Sequence, residues 1–197
     1  MLGGWARSLA VLAPVAVAAC QTGAPGGGAS VSGIVGGASF SARDSYATRG
    51  SSVTSSGLPA QSVTIVITDY TGACAGPRAG GTTLVMSIKR QGGAVLAGTY
   101  GADAGGDEQV AAALQSTDAQ CHLGAVDTVS SGSITLDSVS GTEVAGSFQL
   151  AFPDGSLSGS FHAAVCGSEA GTFGGDDASA GLDAGAIGDG GACGAGP

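Results

Sequence analysis

The residues able to do chemistry in this chain are few and scattered: two histidines, five cysteines and fifteen carboxylates. His162 sits among serines in LSGSFHAAV, and His122 directly follows Cys121. A histidine beside a serine and a carboxylate is the arrangement that nucleophilic hydrolysis needs, because imidazole takes the hydroxyl proton while the acid orients the ring. Serine and aspartate are plentiful enough for such a triad, but no G-x-S-x-G turn presents a serine for attack. Alternation puts His162 on the wet face of a strand beside Ser158 and Ser160, where it reads as a solvated histidine. His122 reads as a strand-edge residue beside a disulfide cysteine. Asp107 and Glu108 are adjacent, so on a strand they point to opposite faces and cannot act as the paired acids of glycoside hydrolysis. Asp176, Asp177, Asp183 and Asp189 lie among glycines and match neither the calcium nonapeptide nor the EF-hand spacing. They read as a solvated acidic stretch, with weak calcium binding as the alternative. The single lysine, Lys89, belongs to no phosphate-loop motif. The residues therefore assign no catalytic group, no cofactor and no metal.

The cysteines carry more information. No C-x-x-C occurs, and Cys121-His122 is one adjacent pair rather than a zinc ligand set. Cys20 closes an N-terminal segment, MLGGWARSLAVLAPVAVAA, in which Arg7 precedes an apolar run from Leu9 to Ala19. The run is shorter than the roughly 20 residues a spanning helix needs and has the length of a signal-peptide core. Its end, Val17-Ala18-Ala19-Cys20, resembles the lipobox of bacterial lipoproteins. The resemblance implies cleavage before Cys20, a diacylglycerol thioether on its sulfur, and a further acyl chain of the palmitate type on the new amino terminus. Several chains together anchor stably where one is marginal. Gln21 stands where an aspartate would retain an enteric-type lipoprotein at the inner membrane, which implies the outer membrane by analogy.

Export brings Cys74, Cys121, Cys166 and Cys193 into an oxidising compartment, where disulfides persist. Four cysteines allow three pairings. Positions at strand ends favour Cys74–Cys121, with Cys74–Cys166 next. Cys193 is left to pair with Cys166 or to stay a thiol.

Composition excludes several partner classes. The formal net charge is −9, and no basic cluster or basic-aromatic platform occurs, so nucleic acid is excluded and polybasic attraction to anionic lipid is absent. Asparagine is missing and lysine occurs once, a profile of a high-GC genome.

The elements that must position these residues read as strands. Residues 21–30, QTGAPGGGAS, have the composition of a flexible tether, so 20–30 is expected to be lipidated cysteine plus linker. Residues 31–166 read as one domain. In SVTIVIT, Val63, Ile65 and Ile67 share a face, and β-branched enrichment favours a strand. Residues 84–88 and 94–100 form a candidate hairpin across Gly92-Gly93. Phe40, Ala42, Asp44 and Tyr46 share one face of another candidate strand, and 110–114 leans to strand. Three alternating runs, 131–139, 144–152 and 157–165, are separated by Ser140-Gly141-Thr142 and by Pro153-Asp154-Gly155. They predict an antiparallel meander with Phe148, Leu150, Phe152, Leu157, Phe161 and Ala163 facing inward. The count is seven or eight short strands and no long helix, which predicts an all-β antiparallel sandwich or barrel. Residues 167–197 shift to Gly, Ala and Asp, and only Phe173, Leu182 and Ile187 could pack there. A disordered acidic tail is expected.

The order of these pieces resembles a loose group of small β-rich lipoproteins from high-GC Gram-negative bacteria such as myxobacteria. VSGIVGGASFSARDS, VTIVITDYTGAC, TDAQC and GSITLDSVSGTEVAGSFQLAFPDGSLSGSFHAAVC carry the resemblance, over most of 31–166. It implies architecture and envelope location, and no activity. The resulting expectation is a membrane-anchored, non-enzymatic module binding a protein or glycan. The alternatives are a hydrolase whose site assembles only in three dimensions, and a calcium-responsive envelope protein.

Overall fold

The computed structural model describes residues 27–54, 57–102 and 106–166. Among the described residues the chain is all-β. Eleven strands follow in order: β1 (Gly28–Val35), β2 (Ala38–Ser39), β3 (Asp44–Val53), β4 (Pro59–Thr68), β5 (Thr82–Gln91), β6 (Gly98–Gly101), β7 (Glu108–Thr117), β8 (Leu123–Thr128), β9 (Ser131–Val139), β10 (Glu143–Phe152) and β11 (Gly155–Val165). A 3-10 turn at Ala73–Ala75 links β4 to β5.

All the strands belong to one sheet in the order β6-β9-β10-β11-β3-β4-β5-β7-β8, with β1 joined to β11 and β2 to β1. The sheet curls into a half-barrel. Its strands are antiparallel except where β11 meets β3, which is parallel over Ala164↔Tyr46 and Val165↔Ala47. The expected antiparallel sandwich or barrel of seven or eight strands is corrected to a mixed, eleven-stranded curled sheet. The extra strands are β1, β2 and β8, short or glycine-containing segments without the β-branched runs that mark a strand in sequence. β1 also starts at Gly28, inside the stretch whose composition marked it as tether.

The curl folds one leaf, β6-β9-β10-β11-β1, over the other, β3-β4-β5-β7-β8. Bulges at Ala145/Gly146 and Gln115/Thr117 add local twist. Inward alternation then builds one core from both leaves: Val63, Ile65, Ile67, Leu84, Met86 and Ile88 from one, and Ile134, Leu136, Phe148, Leu150, Leu157 and Phe161 from the other. The meander β9-β10-β11 follows the alternation, and its turns are the expected ones. Ser140 Oγ accepts the Glu143 N–H at 3.0 Å. Pro153-Asp154 closes the second hairpin, with Gly155 at φ 157.

Two cross-strand pairs explain glycines inside these strands. Gly146 faces Phe161 and Gly159 faces Phe148 on the inner face. Each ring lies over the opposite glycine, and a methyl at Gly159 would sit 3.1 Å from Phe148 Cζ. The expected hairpin across Gly92-Gly93 does not form. β5 pairs with β4 and β7, while β6 pairs with β9, so the connection carries the chain from one leaf to the other. Tyr100 holds that crossing: its hydroxyl donates to the Leu96 carbonyl oxygen at 2.7 Å and accepts the Leu96 N–H at 3.1 Å.

Candidate functional site

The most constrained polar cluster is centred on Asp44, the first residue of β3. Its carboxylate is buried. Oδ1 accepts the Ser45 N–H at 2.8 Å, and Oδ2 accepts the N–H groups of Gly72 and Ala73 at 2.8 and 3.0 Å. Those last two donors begin the 3-10 turn, so the acid caps it as a side chain caps a helix N-terminus. The capped turn presents Cys74. β11 ends against β3, where the Cys166 N–H donates to the Ala47 carbonyl oxygen at 3.0 Å. Cys74 and Cys166 thereby come to a Cα separation of 5.9 Å and form a disulfide. This corrects the favoured Cys74–Cys121 pairing, and it removes Cys166 as a partner for Cys193. The reason is topological: the parallel β11–β3 contact, invisible in strand propensities, delivers Cys166 to Cys74, whereas Cys121 lies beyond β5 on the β7–β8 turn.

That turn is the second polar cluster. Asp118 Oδ1 accepts the N–H groups of Gln120 and His122 at 2.8 and 2.9 Å, and Oδ2 meets His122 Nδ1 at 3.0 Å. The backbone N–H of His122 is the main influence holding the Asp118 carboxyl below its ordinary value, with Gln120 N–H and the imidazole adding to it. A lowered carboxyl keeps its contacts above the ordinary carboxylate range and loses them only as pH falls through the lowered value. Cys121 occupies the left-handed region at φ 67 and is buried. It is engaged in a disulfide whose partner lies outside the described residues.

His162 projects from the outer face of β11 and meets Glu143 of β10 at 2.9 Å, Nε2 to Oε1. Both histidine–carboxylate pairs are open to water: side-chain exposure is 78% for His122 and 63% for His162. Among the described residues no serine hydroxyl bonds to either imidazole. Ser45 Oγ donates to the His162 backbone carbonyl oxygen at 3.3 Å, not to its ring. Among the described residues two-thirds of a triad therefore occurs twice, each time without a bonded serine nucleophile. Among the described residues no group of three or more His, Cys, Asp or Glu is placed to hold a metal.

The third feature is the outer face of the leaf β6-β9-β10-β11-β1. Register aligns Thr99, Thr135, Ser147, Ser160 and Ser30 in one row across five strands. A second row holds Ser133, Gln149, Ser158 and Ser32. Neighbouring hydroxyls touch: Thr99 Oγ1 and Thr135 Oγ1 are 3.0 Å apart, and Ser32 Oγ and Ser158 Oγ 3.2 Å. The rows hold hydroxyls and one amide, with no charge and no aromatic ring. Sequence alternation put Ser158 and Ser160 on the wet face, but the cross-strand rows depend on register, which the sequence did not disclose. The buried role of Asp44 was equally hidden.

Cys20, Cys193 and the acidic residues Asp176, Asp177, Asp183 and Asp189 lie outside the described residues. No family model, curated protein or solved structure matches this chain.

Proposed function

We propose that this chain is a lipid-anchored envelope protein whose β domain is a non-enzymatic binding or structural module. The observation that carries the reading is Val17-Ala18-Ala19-Cys20 at the end of the apolar run from Leu9 to Ala19. Small residues before a cysteine give a signal peptidase close access to the scissile bond, and the thiol accepts the diacylglycerol. Gln21 favours the outer membrane over retention at the inner one. The domain suits binding rather than turnover. Its polar clusters hold backbone, its two imidazole–carboxylate pairs are solvated with no serine hydroxyl bonded to either ring among the described residues, and one outer face carries ordered rows of hydroxyls. Adjacent strands repeat every 4.7–4.9 Å or so. Hydroxyls at that repeat offer alternating donors and acceptors to a polymer rich in hydroxyl and amide groups, as a wall glycan is.

The test is the intact mass of the protein extracted from membranes, wild type beside Cys20→Ser. Acyl mass on the wild type alone, with the variant released from the membrane fraction, is the expected result. A wild-type mass without added acyl groups would make this a secreted, unanchored domain.

A further inference from the structure

β3 lies inside the sheet order, yet much of one side of it has no neighbour. β11 runs parallel to it for two residue pairs only, Ala164↔Tyr46 and Val165↔Ala47, and the seam closes where the Cys166 N–H donates to the Ala47 carbonyl oxygen at 3.0 Å. β3 continues to Val53, paired with β4 in unbroken register as far as Val53↔Pro59. Every residue from Thr48 to Val53 is exposed.

The direction of the vacant backbone groups follows from the bonds along that seam. The N–H and C=O of one strand residue point to the same side, and the side alternates from residue to residue. The Ser45 carbonyl oxygen accepts from Gly27 and that of Ala47 from Cys166, both on the side of β11. Arg49, Ser51 and Val53 therefore turn their N–H and C=O to this side, while Thr48, Gly50 and Ser52 turn theirs to β4. Among the described residues nothing pairs with the backbone of Arg49, Ser51 or Val53 on the open side. Free edges are ordinarily blunted by proline, lysine, a bulge or brevity. β6 has four residues with glycine at both ends, and a bulge at Gln115/Thr117 interrupts the β7–β8 ladder. The edge from Thr48 to Val53 has no proline, no lysine and no bulge.

We infer that this edge is a docking site for an extended segment of another polypeptide, which adds a strand antiparallel to β3 between Arg49 and Val53. The reading depends on neither the lipid anchor nor the hydroxyl face. A polypeptide backbone supplies donors and acceptors at the repeat of alternate strand residues, roughly 6.6–6.8 Å, which is the repeat of the vacant groups. Antiparallel pairing is the stronger arrangement per residue. The side chains of Arg49, Ser51 and Val53 continue the face on which Ala47 meets the core. Among the described residues the Arg49 guanidinium has no carboxylate partner, and it donates to the Ser140 carbonyl oxygen at 3.4 Å. Val53 is exposed at 74%. The guest therefore carries a carboxylate facing Arg49 and, four residues before it, an apolar side chain facing Val53. A second copy fits less well. Self-pairing centred on Ser51 would set Arg49 opposite Val53 and leave both guanidiniums without an acid, and two chains of net charge −9 repel.

The test is amide hydrogen exchange read residue by residue on the full chain, with a seven-residue threonine peptide carrying valine second and glutamate sixth as the probe. In the free protein the Gly50 and Ser52 amides should exchange slowly and those of Arg49, Ser51 and Val53 fast. At ten times its dissociation constant the peptide should slow those three about tenfold and leave Gly50 and Ser52 unchanged. No slowing would overturn the proposal. So would three amides already slow in the free monomer, which is an edge covered by the chain itself, or slowing that grows with protein concentration alone, which is an edge covered by a second copy. Ser51→Pro should keep the wild-type urea midpoint, because proline is tolerated where a strand N–H faces solvent, and should lose peptide binding. Should that variant fail to fold, the peptide carries the same test. An N-methyl group on its central residue should abolish binding, whereas one on the next residue, whose N–H points away from β3, should not. Equal binding of the two methylated peptides would overturn strand addition. Arg49→Gln should weaken binding about two- to fivefold and remove its salt dependence. Unchanged affinity in that variant would overturn the placement of the carboxylate.

Discussion

Replacing Asp44 by alanine tests the account of how the sheet is stapled. The carboxylate satisfies three backbone donors, those of Ser45, Gly72 and Ala73, at 2.8, 2.8 and 3.0 Å. Ser45 and Ala73 are buried at 0% and 1% exposure, so alanine leaves two N–H groups with neither protein nor bulk water to bond. Each such group costs about 1–3 kcal/mol. Gly72 is exposed and recovers its bond from solvent. The expected loss is therefore about 2–6 kcal/mol, a large part of the 5–15 kcal/mol or so that holds a domain together. Asp44→Asn should lose roughly half as much, because one amide oxygen can still accept on one side of the cluster. Urea unfolding with the disulfides intact is the assay, read as a shift in midpoint at constant slope. The Cys74–Cys166 bond should also become easier to reduce, because the turn that presents Cys74 loses its cap. An Asp44→Ala protein within about 0.5 kcal/mol of wild type would refute the reasoning, since it would mean the three donors find equal partners elsewhere.

Gly159→Ala should destabilise by about 1–3 kcal/mol, measured by thermal unfolding. The added methyl runs into the Ser30 carbonyl oxygen and the Phe148 ring, against the usual gain when alanine replaces a strand glycine. Burial, followed by the nearby Tyr70, raises the Tyr46 hydroxyl above its ordinary 10.0. A raised folded value leaves stability whole below the unfolded value and erodes it as pH climbs past 10.0 toward the folded one. Tyr46→Phe should flatten that alkaline limb and leave neutral-pH stability nearly unchanged, as followed by unfolding midpoints across the range.

What was legible in the sequence was local. The β10 and β11 alternation named Phe148, Leu150, Leu157 and Phe161 as core because a strand's period of two is written in neighbouring residues. The turn at Pro153-Asp154 was legible for the same reason. The parallel contact of Ala164 with Tyr46 was not, since it joins segments more than a hundred residues apart and involves two residue pairs. That one contact decides which cysteine meets Cys74, so the favoured pairing failed. Asp44 was hidden by the opposite effect. Alternation placed it with Phe40 and Tyr46 on one face, and only the return of the chain at Gly72 shows why an acid belongs there. β1 escaped notice because glycine, not β-branching, fits its close approach to neighbours. At Gly33 on β1, for example, φ is 132 and a side chain would strike the Ser156 carbonyl oxygen.

The same topology would set the orientation of the molecule under the proposed lipid anchor. Gly27 bridges to Ser45, so the chain enters the domain at the end of β3 where Cys166 leaves it. If Cys20 carries the proposed lipid, residues 20–27 span at most roughly 25 Å, which would make this end the proximal one. β3 then runs outward from Asp44 to Val53, about 30 Å at 3.3 Å per residue. Its hairpin carries Val53 and Leu58, exposed at 74% and 49%, at the distal tip. The hydroxyl rows stand on the flank of such a domain and the apolar pair at its tip. A partner meeting the tip first would contact Val53 and Leu58, whereas a polymer running alongside would contact Ser147, Ser160 and Ser30.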